Sequence, residues 1–513
     1  MTAAIVPVGL TSSEPTPGIF MEVNFAQGPS VGSGLTRAIL VLANKLAAGS
    51  ATVDTEIYGP DTDTQLQTEP QMIALAGAGS EAHRMFRRMA AVTGGENGPP
   101  IYWLFVTESA GASATGTVVI ATNATGNATH RLWVGDEFVD TGIFTSDTPT
   151  TIAAAIAANV NAKTHWPVTA SAATGTVTLT AKQKGLRGNW IRFQAAIIAP
   201  SPIGTTTTAT ADAFLSGGTT ADSNTTALAT ILPRWYYHIV SAAEDATQVG
   251  AAASQLATQS LAINGIRQRL FFGSTNTLAN TITIAVGINS PLAEVTWSEK
   301  SPWTPAELAA NAAVVYALEE ADELNFRTNF IGYGKSAVTQ PLWKVPASRA
   351  ATAWPSPATI RSALNNGITP IGVDTFSKKT FIVDRFTTRS LNGSQPDSRI
   401  REAHKVTISH RVADVFGRAL ADAGEGMVIA DDPPPGLAPP PKSITPNIAK
   451  GVLYRVLDRF AGASPPKLQK LNETKANAVV QRETDPASRI GVRCPLSTID
   501  NFRQAAVVID QVA

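Results

Sequence analysis

The last segment of the chain, Gln504 to Ala513, is an apolar run of strand length. A strand that is apolar on both faces promotes aggregation unless another strand pairs with it. Two alternatives follow: the run pairs inside its own domain, or it adds to a sheet of a neighbouring copy of the chain. The apolar residues alternate over both faces of an extended backbone, with Ala505, Val507 and Ile509 on one face and Ala506 and Val508 on the other.

A second extended segment, Thr16 to Phe25, lies near the start of the chain and follows a proline-marked lead-in. Its apolar residues fall on one face of an extended strand. A chain with pairing-competent strands at both ends is suited to polymerising, so we expect both segments to exchange strands between subunits. The residues predicted to make this exchange are Ile19, Met21, Val23, Phe25, Ala505, Val507, Val508 and Ile509.

Composition argues against attraction to nucleic acid or membranes by the overall charge of the chain, and it leaves a local charged patch open. Lys and Arg number 40 and Asp and Glu number 40, so the formal net charge is zero and the overall field does not attract nucleic acid or an anionic membrane. Charged residues make up only 16% of the chain, which suits a protein whose surface is covered by copies of itself. No signal peptide or transmembrane run is recognisable. The single cysteine, Cys494, excludes an internal disulfide and fits assembly in a reducing cytoplasm.

Residues 20–106 have the pattern of a mixed α/β domain. Leu35 to Ala43 and Ile101 to Val106 are predicted strands, and Pro70 to Ala91 is a predicted helical stretch interrupted at Gly77 to Gly79. From about Thr107 the composition shifts to Thr, Ala, Gly and Ser.

Residues 107–224 are predicted to form a small β-rich domain inserted into the larger one. Two similar pieces, Ala112 to Ala121 and Ala170 to Ala181, each have the pattern of a turn and a strand. Between them, Thr148-Pro149 begins a helix with apolar residues four positions apart. Low-complexity flanks suggest that the insertion hangs on two flexible joints.

After the insertion, strands alternate with helices, which predicts an α/β core with helices packed on a sheet. Predicted strands are Trp235 to Val240, Arg269 to Phe272 and Ile282 to Val286. Predicted helices start at Ala246, at Thr304-Pro305 with Glu307 completing a capping box, at Ser356-Pro357, and at Ile444, the last following the proline-rich connector Asp431 to Pro441.

Three patterns suggest sites, and each lacks the context it needs. Gly77 to Ala82 matches the loose dinucleotide-binding fingerprint, but the preceding residues predict a helix where the fingerprint needs a strand. Gly334-Lys335-Ser336 ends like a phosphate loop but lacks the first glycine. The six histidines show no metal-binding motif and no clustering with carboxylates. We therefore expect no catalytic, cofactor-binding or metal-binding residues, and no cofactor.

Several blocks spread along the chain resemble the contractile-tail sheath proteins of myophages, including Mu-like phages, and are similar to R-type pyocin sheaths. The Leu179 to Asn189 block resembles a Lys-Gly…Gly-Asn signature of sheath insertions. The blocks are Pro17 to Phe20 with Gln27 to Pro29, Ala76 to Met85, Leu179 to Asn189, Leu364 to Ile371 with Val383 to Arg389, and Arg489 to Leu496.

This resemblance implies an α/β core, subtilisin-like in shape but without protease residues, plus an inserted β-rich domain and extended terminal arms. The expected division is an N-terminal arm 1–19, core 20–106, insertion 107–224, core 225–493 and a C-terminal arm 494–513. The core, not the insertion, is expected to face the inner tube.

The expected function is that of a structural subunit, not an enzyme. The resemblance implies stacked six-membered rings around a tail tube that contract to drive the tube through a host envelope. Implied partners are other copies of the chain, the tube protein, baseplate and tail terminator proteins, without direct nucleic acid contact or membrane insertion. The implied location is the virion tail, assembled in the host bacterial cytoplasm. The alternatives are the sheath of a phage-derived injection system or bacteriocin, an α/β hydrolase-like enzyme, and a surface adhesin that binds through the insertion.

Overall fold

The structure is a computed structural model, and it describes residues 38–60, 65–93, 98–199, 210–231, 235–261, 263–322, 345–397, 401–463, 466–484 and 488–498. Within these ranges the chain is a mixed α/β protein, as the sequence predicts.

The described strands form one large sheet and five small ones. In chain order they are β1 (Ile39–Asn44), β2 (Ile57–Tyr58), β3 (Ile101–Val106), β4 (Ser113–Val119), β5 (Ala128–Val134), β6 (Glu137–Ile143), β7 (Val168–Ala173), β8 (Thr176–Lys184), β9 (Arg192–Ala199), β10 (Thr210–Phe214), β11 (His238–Ser241), β12 (Arg269–Ser274), β13 (Ala293–Trp297), β14 (Thr369–Val373), β15 (Thr380–Ile382), β16 (Leu391–Asn392), β17 (Gln395–Pro396), β18 (Val428–Ile429), β19 (Ser443–Ile444), β20 (Val479–Arg482) and β21 (Ile490–Arg493).

The described helices are listed in the same order, and two short 3₁₀ turns accompany them at Leu186–Trp190 and Ala351–Ala353. They are α1 (Glu69–Ala76), α2 (Glu81–Thr93), α3 (Pro149–Asn161), α4 (Thr225–Ile231), α5 (Ala246–Gln259), α6 (Leu278–Ile288), α7 (Pro305–Asp322), α8 (Pro357–Asn365), α9 (Ala403–Gly424), α10 (Pro446–Ala461) and α11 (Leu471–Ala476).

The large sheet has eight strands in the order β15-β14-β13-β12-β11-β1-β3-β2. The six central strands are parallel, and the edge strands β15 and β2 are antiparallel to their neighbours. The chain runs outward from β1 to β3 on one side, then returns to β11 and continues outward on the other side. This reversal makes the carboxyl ends of β1, β3 and β11 a topological switch point.

Helices cover both faces of the large sheet, which is why its strands are apolar on both sides. Ile39 and Val41 of β1 lie in a core with residues of α1, α2 and α7, whereas Leu40 and Leu42 lie in a second core with residues of α4, α5, α6 and α8. These four side chains are at most 1% exposed.

Side-chain caps begin the helices that the sequence signals predict. Thr148 and Ser356 accept hydrogen bonds from backbone N–H groups in the first turns of α3 and α8. Glu307 accepts hydrogen bonds from the backbone N–H and the hydroxyl of Thr304, both at 2.9 Å, which forms the reach-back half of the predicted capping box at α7. The starts predicted for α3, α7 and α8 are confirmed.

Strands β4 to β10 and helix α3 form a separate β-rich unit, called the inserted unit below. It contains a three-stranded sheet, β4-β8-β7, and a four-stranded sheet, β10-β9-β5-β6. Its own core includes Leu132, Ile156, Leu179 and Phe193, which are at most 5% exposed.

Helices α9, α10 and α11 and the β20–β21 hairpin pack together as a C-terminal unit. Its core includes Val412, Leu453, Leu457 and Phe460. The proline-rich connector is neither helix nor strand over residues 430–442, as predicted.

The predicted strand Ile282 to Val286 is wrong, because these residues belong to α6. Alternating β-branched residues favour a strand locally. In the structure Thr277 caps a helix, and its fully buried residues Thr281 and Ala285 are four positions apart on one face. Tertiary packing along that face outweighs the local preference for a strand.

Candidate functional site

The residues predicted to exchange strands and the Gly334-Lys335-Ser336 segment lie outside the described residues. The predicted strand residues are Ile19, Met21, Val23, Phe25, Ala505, Val507, Val508 and Ile509. The site that the described residues do define is the switch point of the large sheet, where open α/β sheets bind ligands in the crevice at the strand ends.

The glycine-rich segment before α2 is not an anion cradle, because the N–H groups of Gly77, Gly79, Ser80 and Glu81 are already bonded within the protein. Gly79 donates to Nδ1 of His83 at 3.0 Å, and Glu81 donates to Oε1 of Gln183 at 2.6 Å. The segment follows helix α1, as the sequence predicts, and not a strand. The dinucleotide fingerprint therefore lacks both its preceding strand and free donors.

Arg187 of the inserted unit fills the crevice. Its Nη1 lies 2.8 Å from Oε2 of Glu81, at the start of α2, and its Nε donates to Oδ2 of Asp222. Glu81 also accepts the backbone N–H of Asn44, the last residue of β1, at 3.2 Å. These charged groups are all less than 9% exposed. A buried ion pair with extra hydrogen bonds is satisfied in place, and breaking it leaves an uncompensated charge.

Both connections to the inserted unit take part in this cluster. On the outgoing connection, the backbone N–H of Ser109 donates to Oδ1 of Asp222 at 2.5 Å, and its hydroxyl donates to the carbonyl oxygen of Thr220 at 3.0 Å. Asp222 and Thr220 belong to the return connection. The sequence predicts flexible joints, whereas the structure shows two joint segments bonded to each other and to the core.

Arg187 lies near three carboxylates, those of Glu81, Asp222 and Glu244. Burial lowers the pKa of Arg187, but Glu81 and Asp222 outweigh burial and leave that pKa raised. Burial raises the pKa of Glu81, against the lowering effect of Arg187 and Arg84. Burial likewise raises the pKa of Glu244 to about 8, opposed by Arg187 and reinforced by Glu81, while the indole N–H of Trp190 donates to its Oε1.

A second charged cluster joins α2 and α7 to the β5–β6 turn of the inserted unit. Arg88 Nη2 lies 2.7 Å from Oδ1 of Asp136, whose Oδ2 accepts the Trp303 indole N–H at 2.9 Å. Arg87 Nη1 lies 3.1 Å from Oε1 of Glu137. The guanidinium of Arg349 donates to the carbonyl oxygen of Gly135.

Glu307 supports this second cluster from the first turn of α7. Its carboxylate lies 3.0 Å from Nη1 of Arg84 and 2.8 Å from Nε of Arg88. Burial raises the pKa of Glu307, but Arg88 and Arg84 outweigh it and hold the pKa at about 2. Glu307 is therefore ionised at all ordinary pH values and stays paired with both arginines.

A third cluster lies at the opposite end of the sheet and ties α9 to it. Glu294, which is fully buried, pairs with Arg269 at 3.2 Å and with Arg385 at 3.0 Å. Both guanidinium groups lie over the Tyr316 ring, 4.6 and 5.0 Å from its centroid. Arg269 also donates to the carbonyl oxygen of Ala403, the first residue of α9.

The expectation that histidines do not cluster with carboxylates is wrong for three of them. His83 Nε2 lies 3.0 Å from Oε1 of Glu69, His165 Nε2 lies 2.6 Å from Oε2 of Glu137, and His404 Nε2 lies 3.3 Å from Oε2 of Glu402. The first two pairs join residues 14 and 28 positions apart, which no motif reveals. In the described part of the chain, no group of three or more His, Cys, Asp or Glu residues is placed to hold a metal ion.

The spaces beside these clusters are small or shallow. A cleft of about 30 Å³ lies beside Arg88, Asp136 and His165, enough for about one water molecule. A groove of about 440 Å³ passes Lys182, whose ammonium group already donates to the carbonyl oxygens of Ala78 and Thr164. Burial raises the pKa of the Cys494 thiol to about 12, so this thiol is not a nucleophile at neutral pH.

The described residues thus define an open-sheet α/β protein whose ligand crevice is filled by an arginine of its own inserted unit. The side chains at the crevice bind one another and join segments of the chain. No helix in the described ranges is both long and apolar enough to cross a membrane.

Known proteins that resemble this chain are tail sheath proteins. No protein-family model matches the chain. The chain is 26% identical over 276 residues to the Mu-like prophage FluMu tail sheath protein of Haemophilus influenzae, an alignment that covers 53% of this chain and 54% of that protein. The chain therefore spans about half the length of the curated relative it matches. This alignment confirms the resemblance to Mu-like tail sheath proteins.

Two crystal structures of sheath tail proteins give TM-scores of 0.47 at 11% identity. The protein from Listeria innocua matches over 92% of this chain and 94% of its own, and the protein from Desulfitobacterium hafniense over 94% and 97%. Scores at this level do not establish a shared fold, and the fold described above stands on its own sheet order and cores.

Proposed function

We propose that the chain is a structural subunit of a contractile phage tail sheath. In this proposal it polymerises into stacked hexameric rings around the tail tube and contracts to drive the tube through the host envelope. The observation that carries the proposal is the alignment to the Mu-like prophage tail sheath protein. The filled crevice supports a structural role, because the place where an open α/β sheet usually binds a substrate is occupied by Arg187.

The proposal includes the domain division that the sequence predicts, with arms 1–19 and 494–513, core segments 20–106 and 225–493, and insertion 107–224. The separate hydrophobic core of the inserted unit supports its boundaries. The subtilisin-like shape of the core and its position against the tube remain parts of the same proposal.

The β20–β21 hairpin supports the proposed exchange of terminal strands. Among the described residues β20 and β21 form a two-stranded sheet, and a sheet of this size is the kind to which a further strand can add. Val479 of β20 is 38% exposed, as expected for a position that a neighbour covers. A terminal strand of about eight residues adds several backbone hydrogen bonds at about 1 kcal/mol each.

The proposed partners are other copies of the chain, the tail tube protein, and the baseplate and tail terminator proteins. The proposed location is the virion tail, assembled in the host cytoplasm. The alternative proposal, a sheath of a phage-derived injection system or bacteriocin, gives the chain the same structural role outside a phage.

Sedimentation velocity of the purified chain tests self-assembly and the terminal strand together. We expect the full chain to form species far larger than the 53.7-kDa subunit, and a chain lacking Gln504–Ala513 to remain small. A matched control of full length carries Val507→Ser, Val508→Ser and Ile509→Ser, which removes the apolar strand but keeps the length.

Large species from the full chain and small ones from both variants support the proposed exchange. Large species from all three retain the sheath and remove the terminal-strand mechanism. A full chain that stays a 53.7-kDa monomer at every concentration, with or without a tube protein as template, contradicts the proposed function.

A further inference from the structure

We propose that the inserted unit and the eight-stranded sheet form one rigid body, locked at two separate places on helix α2. The first lock is the Arg187 cluster and the second is the Asp136 cluster. This inference does not depend on the proposed function, because it rests only on contacts inside the chain.

The first lock joins the inserted unit to the start of α2. Arg187 binds Glu81 of that helix and Asp222 of the return connection, and all three charged groups are buried. Two neighbours on β8 add to it: Gln183 accepts the backbone N–H of Glu81, and Lys182 donates to the carbonyl oxygen of Ala78. Moving the inserted unit away from α2 leaves the charges of Arg187 and Glu81 without their partners, which is costly for buried groups.

The second lock lies further along the same helix. Arg88 of α2 binds Asp136 in the β5–β6 turn, and Trp303 donates to the same carboxylate from the segment before α7. Glu81 and Arg88 are seven residues apart, so the two locks are separated by about 10 Å along the helix axis. A single contact would allow the inserted unit to rotate relative to α2. Two separate contacts along the same helix remove most of that rotation.

A third contact joins the inserted unit to the segment after β11, on the other side of the crevice. Trp190, on the same short turn as Arg187, donates its indole N–H to Glu244, which follows β11. The inserted unit is therefore tied to segments that follow β3 and β11 and, through Glu81, to the end of β1. The proposal places any large movement outside this contact between the inserted unit and the sheet.

The distance between spin labels on the two parts tests the lock. The labels are placed on Ala172→Cys of the inserted unit and Ala257→Cys of α5, both exposed, in the full chain with Cys494→Ser. Arg187→Met with Asp136→Asn breaks the central ion pair at each of the two places. The matched control is Arg131→Met, which breaks the exposed Arg131–Asp140 pair within the inserted unit.

We expect a single narrow distance distribution for the unmodified locks and for the Arg131→Met control, and at least a twofold broader distribution when both locks are removed. A broad distribution with intact locks overturns the proposal, and so does a double variant that folds and stays as narrow as the control. Because the measurement with intact locks needs no destabilising substitution, the proposal stays falsifiable if the double variant does not fold.

Discussion

Replacing Glu294 with Gln removes the carboxylate that pairs with both Arg269 and Arg385 in the third cluster. Both guanidinium groups are about 2% exposed or less, so they keep their charge without access to water. Breaking a buried pair from one side costs about 3–5 kcal/mol. Arg385 keeps its bond to the carbonyl oxygen of Ala312 and Arg269 keeps its bond to that of Ala403, so we expect about 3 kcal/mol.

Equilibrium urea unfolding, followed by tryptophan fluorescence below the concentration of assembly, measures this loss. The matched control is Asp140→Asn, the same chemical change in the Arg131–Asp140 pair, whose carboxylate is 38% exposed. We expect the control to cost less than about 1 kcal/mol. A Glu294→Gln variant that unfolds at the same urea concentration as the control refutes the reasoning.

A third variant separates the charge from the packing. Replacing all three members with apolar residues of similar volume, as in Glu294→Leu with Arg269→Met and Arg385→Met, leaves no unpaired buried charge. Such replacements are often neutral or stabilising. We therefore expect the triple variant to be more stable than Glu294→Gln alone, and a further loss of stability contradicts the electrostatic explanation.

Three further predictions concern single positions. The pKa of Glu244 rises from its ordinary 4.5 to about 8 on folding, so between these pH values the folded chain holds a proton that the unfolded chain releases. The free energy of unfolding therefore falls as pH rises from about 4.5 to about 8, by at most about 1.4 kcal/mol per pH unit. We expect Glu244→Gln to reduce that slope in urea unfolding at successive pH values, and an unchanged slope contradicts the assignment. A Cβ on Gly273 would lie 2.0 Å from the carbonyl oxygen of Pro305, so we expect Gly273→Ala to lower the free energy of unfolding by about 1–3 kcal/mol. The control is Gly250→Ala in α5, where a Cβ meets nothing within 4 Å, and we expect it to raise the free energy of unfolding by about 0.5–1 kcal/mol. Equal effects of the two substitutions refute the packing argument. Phe376 is 96% exposed, so Phe376→Ser is expected to change thermal unfolding by less than about 0.5 kcal/mol, and a larger loss shows that the side chain is covered.

Elements with strong local signals could be predicted from the sequence. The apolar run of β3 and the caps of α3 and α7 are set by neighbouring residues, so a short window contains the information. Helix α9, with 22 residues, was not predicted. It packs on the sheet with one end and on the rest of the C-terminal unit with the other, and it buries His404, Thr407, Arg411 and Asp414. These polar side chains interrupt the apolar period that marks a helix.

The charged clusters could not be predicted from the sequence. Arg187 and Glu81 are 106 positions apart, and Arg84 and Glu307 are 223 positions apart. Nothing in the local composition distinguishes such a pair from a solvated surface charge. Only the sheet order brings the ends of β1 and β11 together, and the pairing follows from that placement.

Negative-stain electron microscopy of the full chain tests the central claim most directly. We predict long hollow tubes built from regularly repeating rings, with a lumen wide enough to hold an inner tube. Compact single particles at every concentration, both alone and with tube protein, contradict the proposed sheath function.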